Sequence, residues 1–237
     1  MKITVLDNAT LANTSLACLE QLGSLKTYEL TSPEQVVEHS QGADILITNK
    51  VVLNRETISQ LKNLKLICVS ATGTNNVDLE AAKDHGIAVT NVAGYSTPSV
   101  VQHTFSLITN LLGNTHRYQA DCQQGAWQKS EMFCRLDYSF NDLQGKTLTI
   151  IGGGTLGQAV ANVAEAFGAN VVMSERKGAP CRDGRTPFDE AIKTADIISV
   201  HCPLTEETRN LITLNEFKVM KPSCIIINTA RGGIINE

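Results

Sequence analysis

The residues Gly152-Gly153-Gly154-Thr155-Leu156-Gly157 fit the pattern G-x-G-x-x-G. The apolar run LTII leads into them and LGQAVANVAEAFGA leads out, so the glycines fall between a buried strand and a helix. Gly152 permits the tight turn, Gly154 lets a pyrophosphate approach the backbone, and Gly157 lets the helix pack closely on its strand. Thr155 and Leu156 open that helix, whose N-terminal N–H groups and partial positive charge favour an anion. Glu175 ends the next apolar run, where an acidic side chain hydrogen-bonds the adenosine ribose hydroxyls. This constellation binds a dinucleotide. Glu175 repels a 2′-phosphate and so favours NAD; Arg176 and Lys177 come directly after it and leave NADP open.

Arg231 follows the apolar run IIINTA, at the carboxyl end of a strand, where ligands of open α/β sheets bind. Gly232 and Gly233 leave space beside it. A histidine beside a strand, as His201 is, invites assignment as a general base, and Cys202 invites assignment as a nucleophile. No base is paired with Cys202 in sequence, however, and thiolate chemistry needs one.

These residues need elements to position them. KITVLD (Lys2–Asp7), ADILITN (Ala43–Asn49), LKLICVSA (Leu64–Ala71) and IAVTNV (Ile87–Val92) read as buried strands. Amphipathic segments lie around Leu11–Leu22, Pro33–His39 and Arg55–Leu61. Such alternation predicts a parallel sheet covered on both faces by right-handed crossovers. A long helix is predicted from Pro98 to about Tyr118, then a polar stretch containing Trp127 up to Leu143. A second alternation occupies KTLTIIGGG (Lys146–Gly154), NVVMSE (Asn170–Glu175), ADIISVH (Ala195–His201) and CIIINTA (Cys224–Ala230). The expected class is α/β with two doubly wound parallel-sheet domains, residues 1–98 and 99–237.

Composition narrows the function. With 42% hydrophobic and 19% charged residues in 237, the chain has a globular rather than a disordered balance, and its length suits two domains. A net charge of −4 offers no basic field, so neither nucleic acid nor a membrane surface is expected as a partner. No apolar run reaches a membrane span, and MKITVLDNAT has no signal-peptide core, so the expected location is cytoplasmic. The seven cysteines are scattered without a C-x-x-C, which predicts reduced thiols and no metal site.

The chain resembles the D-isomer-specific 2-hydroxyacid dehydrogenases, most closely the branch of glycerate dehydrogenase and hydroxypyruvate (glyoxylate) reductase. The carriers are VSATGTNNVDLEAA (Val69–Ala82), NVAGYSTPSVVQHT (Asn91–Thr104), GGGTLG, SERKGA (Ser174–Ala179), HCPLTEETRNLI (His201–Ile212) and MKPSCIIINTARGGIINE (Met220–Glu237). The resemblance implies a flavodoxin-like substrate domain, an NAD(P)-binding Rossmann domain and a site in the cleft between them. It implies hydride exchange between a D-2-hydroxy acid and its 2-oxo acid, glycerate/hydroxypyruvate or glycolate/glyoxylate, in a homodimer. By the same resemblance Arg231 is catalytic. Its planar guanidinium binds the substrate carboxylate and stabilises the carbonyl oxygen as charge develops. Thr72 and Gly73 grip the carboxylate through backbone N–H groups, Gly73 because a missing Cβ allows approach. Cys202 and Pro203 lie along the cofactor, while Thr104, Thr229, Ala230 and Arg231 line its nicotinamide end; His201 and Cys202 do no chemistry. Trp127 or its neighbours are expected in the dimer interface.

In the family NTARGGIINE continues, and the continuation holds an aspartate, a glutamate and the histidine that moves the proton. A chain ending at Glu237 is therefore expected to keep the binding chemistry without the proton chemistry, as a truncated and inactive form. An alternative function on the same fold is a nucleotide-sensing interaction protein, against which Arg231 and the substrate loop argue.

Overall fold

A computed structural model describes all residues from 1 to 237. Two compact units divide between Tyr95 and Ser96. The break falls slightly before the expected boundary because Pro98 already stands in the first turn of a helix.

The first unit runs β1 (Lys2–Val5), α1 (Ala17–Glu20), β2 (Ser24–Thr27), α2 (Val36–Ser40), β3 (Ile45–Thr48), α3 (Arg55–Gln60), β4 (Leu66–Val69), α4 (Leu79–Asp84) and β5 (Ala88–Asn91). Its sheet is entirely parallel, in the order β2-β1-β3-β4-β5. Leu6, Leu46, Ile58, Ile67 and Val77 fill its core. Two helices start on side-chain caps: Asn54 accepts from the N–H of Thr57 and Asp78 from that of Ala81. Where one amphipathic helix was expected over Leu11–Leu22, there is a single 3-10 turn (Asn8–Leu11) and then the four-residue α1. Strand β2 was not expected at all. Behind β1, Asp7 is 2% exposed and its carboxylate accepts the N–H groups of Asn49 (2.9 and 3.0 Å) and Lys50 (2.6 Å).

The second unit opens with α5 (Thr97–Gly113) and α6 (Thr115–Gln123). One helix was predicted here, but Asn114 takes the left-handed conformation (φ 50) that asparagine tolerates, and the axis breaks. The irregular stretch after α6 is latched back onto it. Tyr118 donates to the carbonyls of Arg135 (3.3 Å) and Tyr138 (2.9 Å), Tyr138 donates to the Asp121 carboxylate (3.1 Å), and Arg135 pairs with Asp121 and Asp137. The guanidinium of Arg117 covers the Tyr138 ring at 3.8 Å. The latch leaves Trp127 53% and Phe133 100% exposed.

The alternation then resumes with β6 (Thr147–Ile151), α7 (Thr155–Ala166), β7 (Asn170–Met173), α8 (Phe188–Thr194), β8 (Ile197–Val200), α9 (Leu214–Val219) and β9 (Ile225–Asn228). This sheet is also parallel, ordered β7-β6-β8-β9. Every residue of β8 is buried, because helices cover both faces: one apolar cluster gathers Ile108, Leu148 and Val160, the other Phe188, Ile198 and Ile212. Both units are therefore doubly wound α/β layers, as expected.

Candidate functional site: a dinucleotide cradle at the β6–α7 turn

Strand β6 delivers Gly152 at φ +101, a conformation that favours glycine. A Cβ there would stand 2.5 Å from the Cys202 nitrogen and 2.6 Å from the His201 carbonyl carbon, so the loop lies hard against the end of β8. A Cβ on Gly157 would collide with the Gly152 carbonyl oxygen, which is the close helix–strand packing expected of this glycine. At Gly154 nothing stands within 4 Å of where a Cβ would be. Gly154 also heads α7 without a side-chain cap, and the first bond of the turn runs from the Gln158 N–H to the Gly154 carbonyl at 2.9 Å. The N–H groups of Thr155 and Leu156 precede that bond and are free for a ligand. A bare backbone, open space and free donors at a helix N-terminus suit the pyrophosphate of a dinucleotide.

The acid beyond β7 departs from expectation. Glu175 was expected to present its carboxylate to ribose hydroxyls, but it is 2% exposed and both its oxygens are taken. Arg182 forms a two-pronged pair with it, Nε to Oε2 and Nη2 to Oε1, each 2.7 Å, and the N–H groups of Arg176 and Arg182 add further donors. The Arg182 hydrogen bonds, followed by that of the Arg176 N–H, hold the Glu175 carboxyl well below the usual carboxylate range, at about 2. A ligand reaching this carboxylate would find its charge already paired with Arg182. The Arg176 side chain is exposed, whereas Lys177 is tied back to Glu216 at 2.7 Å and packs over the Phe188 ring. Burial pushes the Glu216 carboxyl up, but Lys177 and the Thr213 hydroxyl and N–H outweigh it and bring it to about 2.

At the end of β8, His201 shares a 2.8 Å hydrogen bond with Ser199 through Nε2, and burial pushes its pKa down to about 4. It is neutral at physiological pH and committed to Ser199. Burial also pushes the Cys202 thiol up, away from a reactive thiolate. Pro203 lies exposed beside it. Thr104, expected at the nicotinamide end, is 0% exposed and its hydroxyl meets that of Thr229 at 3.1 Å. It therefore ties α5 to the end of β9, and Thr229 is the one of the two left partly open. The turn beyond is rigid: the Ala230 N–H donates to Asn228 Oδ1 (3.1 Å), and Asn228 Nδ2 donates to the Arg231 carbonyl (2.8 Å). Arg231 is exposed, and its guanidinium bonds only the Ala230 carbonyl (2.9 Å) and no carboxylate.

In the first unit, the Thr72 hydroxyl donates to the Val92 carbonyl (3.1 Å) and Asn91 Nδ2 to the Thr72 carbonyl (2.7 Å). These bonds fasten the turn after β4 to the end of β5, while the N–H groups of Thr72 and Gly73 have no acceptor within the chain. Two residues are not legible in the sequence: Arg182 on Glu175, and Arg185, whose guanidinium covers Gly153. The turn signal RDGR is visible, but nothing in the spacing says which way its arginines face. No group of three His, Cys, Asp or Glu is placed to hold a metal, and no helix is long and apolar enough to cross a membrane.

Two parallel doubly wound sheets, one with an open glycine turn before a helix, define a dinucleotide-binding α/β protein. Residues 105–237 match the family described as D-isomer specific 2-hydroxyacid dehydrogenase, NAD binding domain. The glycerate dehydrogenase of Methylorubrum extorquens is 42% identical over 213 residues, 90% of this chain and 67% of that protein. The hydroxypyruvate reductase of Blautia hydrogenotrophica is 34% identical over the whole chain and 76% of its own length. Among solved structures, the D-lactate dehydrogenase from Aquifex aeolicus, complexed with NAD and lactic acid, superposes with a TM-score of 0.83 at 28% identity, covering 100% of this chain and 71% of that one. The chain belongs to the D-isomer-specific 2-hydroxyacid dehydrogenases, NAD-dependent oxidoreductases, and carries their NAD-binding domain.

Proposed function

We propose that this protein interconverts a small D-2-hydroxy acid and its 2-oxo acid, glycerate with hydroxypyruvate or glycolate with glyoxylate. The observation that carries the reading is Arg231: an exposed guanidinium on a rigid turn at a strand's carboxyl end, with no carboxylate of its own. NAD, when bound, supplies or accepts the hydride. Gly152, Gly154, Thr155, Leu156 and Gly157 hold its pyrophosphate, with Cys202, Pro203, Thr229 and Ala230 along the same strand ends. Arg231 binds the carboxylate of the 2-oxo acid and neutralises charge growing on its carbonyl oxygen. In the first unit, Thr72 and Gly73 carry N–H groups without an acceptor and are its candidate substrate-binding residues. The first unit is then the substrate domain and the second the cofactor domain. His201 is half-buried and neutral against Ser199 and does not supply the proton that the 2-oxo acid gains with the hydride; by the family resemblance that proton belongs to the histidine of the continuation.

In a form that carries the family's continuation beyond NTARGGIINE, Arg231→Ala is expected to raise KM and lower kcat together with glyoxylate or hydroxypyruvate, about 10²–10³-fold in kcat/KM, with NADH affinity unchanged. Arg231→Lys keeps the charge, loses the fork and does not rescue. Activity of Arg231→Ala within threefold of wild type refutes the role. A form carrying that continuation that binds NADH but turns over neither acid favours a nucleotide sensor instead. The names of the two relatives above support glycerate and hydroxypyruvate as the pair of acids.

The protein acts as a homodimer through the face bearing Trp127 and Phe133, large apolar groups held in the open. Light scattering at tens of micromolar should give twice the monomer mass, and a monomer there removes the idea.

A further inference from the structure

The phosphate loop carries no positive charge of its own. From Gly152 to Ala166 the single ionisable side chain is Glu165, near the far end of α7. A helix N-terminus offers roughly half an elementary charge, less than an anionic pyrophosphate needs for balance. The missing cation comes from elsewhere in the chain. Beyond β7 the backbone loops out and returns, so that Thr186 pairs with Ser174: the Glu175 N–H donates to the Thr186 carbonyl (2.8 Å) and the Thr186 N–H to that of Met173 (3.0 Å). The Arg185 N–H closes a turn on the Arg182 carbonyl at 3.1 Å, with Gly184 at φ +72. This return sets the Arg185 guanidinium over Gly153, its Cζ 2.7 Å from where a Cβ of Gly153 would stand. Arg182 puts its charge on Glu175, while Arg185 joins no ion pair.

We propose that Arg185 is a further cofactor-binding residue. It supplies, from the β7–α8 loop, the positive charge that GGGTLG lacks for the pyrophosphate. The Glu175–Arg182 pair anchors the loop that carries it. Gly153 is glycine because the guanidinium fills the space of a side chain. The inference rests on the dinucleotide reading of the loop, and a choice of ligands separates the two.

Calorimetry with ADP-ribose and with adenosine, and fluorescence titration with NADH and NADPH, test it on the whole protein. Loss of a charge-assisted hydrogen bond predicts ADP-ribose binding about tenfold to a hundredfold weaker in Arg185→Ala, with adenosine unchanged. NADH and NADPH should weaken equally, and the salt dependence of ADP-ribose binding should become shallower. Gly153→Ala leaves Arg185 in place but pushes its guanidinium aside, so it should weaken ADP-ribose in the same direction, and by less. Thermal melts identify any variant that fails to fold. If wild type does not bind ADP-ribose, the reading of the loop falls and this proposal with it. If wild type binds and folded Arg185→Ala binds equally well, only the Arg185 proposal falls. A loss confined to NADPH also overturns it, because the guanidinium then serves a 2′-phosphate rather than the pyrophosphate.

Discussion

The two units share the strand order around their first strand, β2-β1-β3 in one and β7-β6-β8 in the other, and differ in the residues just beyond that strand. Such an order creates a crevice where successive connections leave in opposite directions. In the first unit the chain fills the crevice with its own anion: Asp7 lies beyond β1 and takes the N–H groups at the end of β3. In the second, β6 runs into glycines, the side chain set over Gly153 is the guanidinium of Arg185 rather than an anion, and the donors of α7 stay open. Topology supplies the crevice. Whether it receives an outside anion depends on whether a residue such as Asp7 already occupies it.

The largest expected effect breaks the open version. Gly157→Val drives a side chain into the Gly152 carbonyl, so NADH affinity should fall more than about a hundredfold in a fluorescence titration. Overpacking should also destabilise the second unit by roughly 1–3 kcal/mol. Normal NADH binding by this variant would mean that the loop geometry is not what binds the dinucleotide. Next comes the filled version. Asp7→Ala orphans buried donors and should lower the urea-measured stability of the first unit by ~2–3 kcal/mol, leaving NADH affinity within about twofold. An unchanged urea midpoint would show that water replaces the carboxylate at no cost.

A smaller effect sharpens the comparison through His201, which backs the glycine turn. Its folded pKa of about 4 lies below its ordinary 6.5, so the unfolded chain binds the proton better. Its contribution is constant above 6.5. Stability then falls by roughly 3 kcal/mol as pH drops from 6.5 through 4, and this contribution levels off at lower pH. His201→Gln should flatten that slope in urea titrations repeated across the range, and a slope left intact assigns it to other groups.

The strands with buried apolar runs were legible because two-sided burial writes itself as β-branched sequence, as in ILIT and IISV. Strand β2 was not: SLKT is largely exposed on the edge of its sheet and needs no apolar run. The glycine loop was legible because its chemistry is local, each glycine answering to a neighbour a few residues away. The place of Glu175 was legible but its pairing was not, since its partner Arg182 arrives through a loop whose course depends on Thr186 pairing with Ser174. Arg185 on Gly153 was missed for the same reason. Thr104 shows a third limit: its register on α5 was clear, yet only packing decides that its hydroxyl is spent on Thr229.

The latch behind Trp127 and Phe133 has a kinetic consequence. Tyr118, Tyr138, Asp121 and Arg135 fix that segment within the single chain before any partner arrives. The entropy of ordering it is incurred during folding, so a surface docking there meets a finished shape and association needs no slow rearrangement. Because the latch is polar and the display apolar, the two also answer to different solvents. High salt screens the ion pairs of the latch, whereas it would strengthen an apolar contact made on the outer side. If the proposed homodimer forms there, encounter rate and lifetime would be adjustable separately, by substitutions on opposite sides of one short stretch of chain.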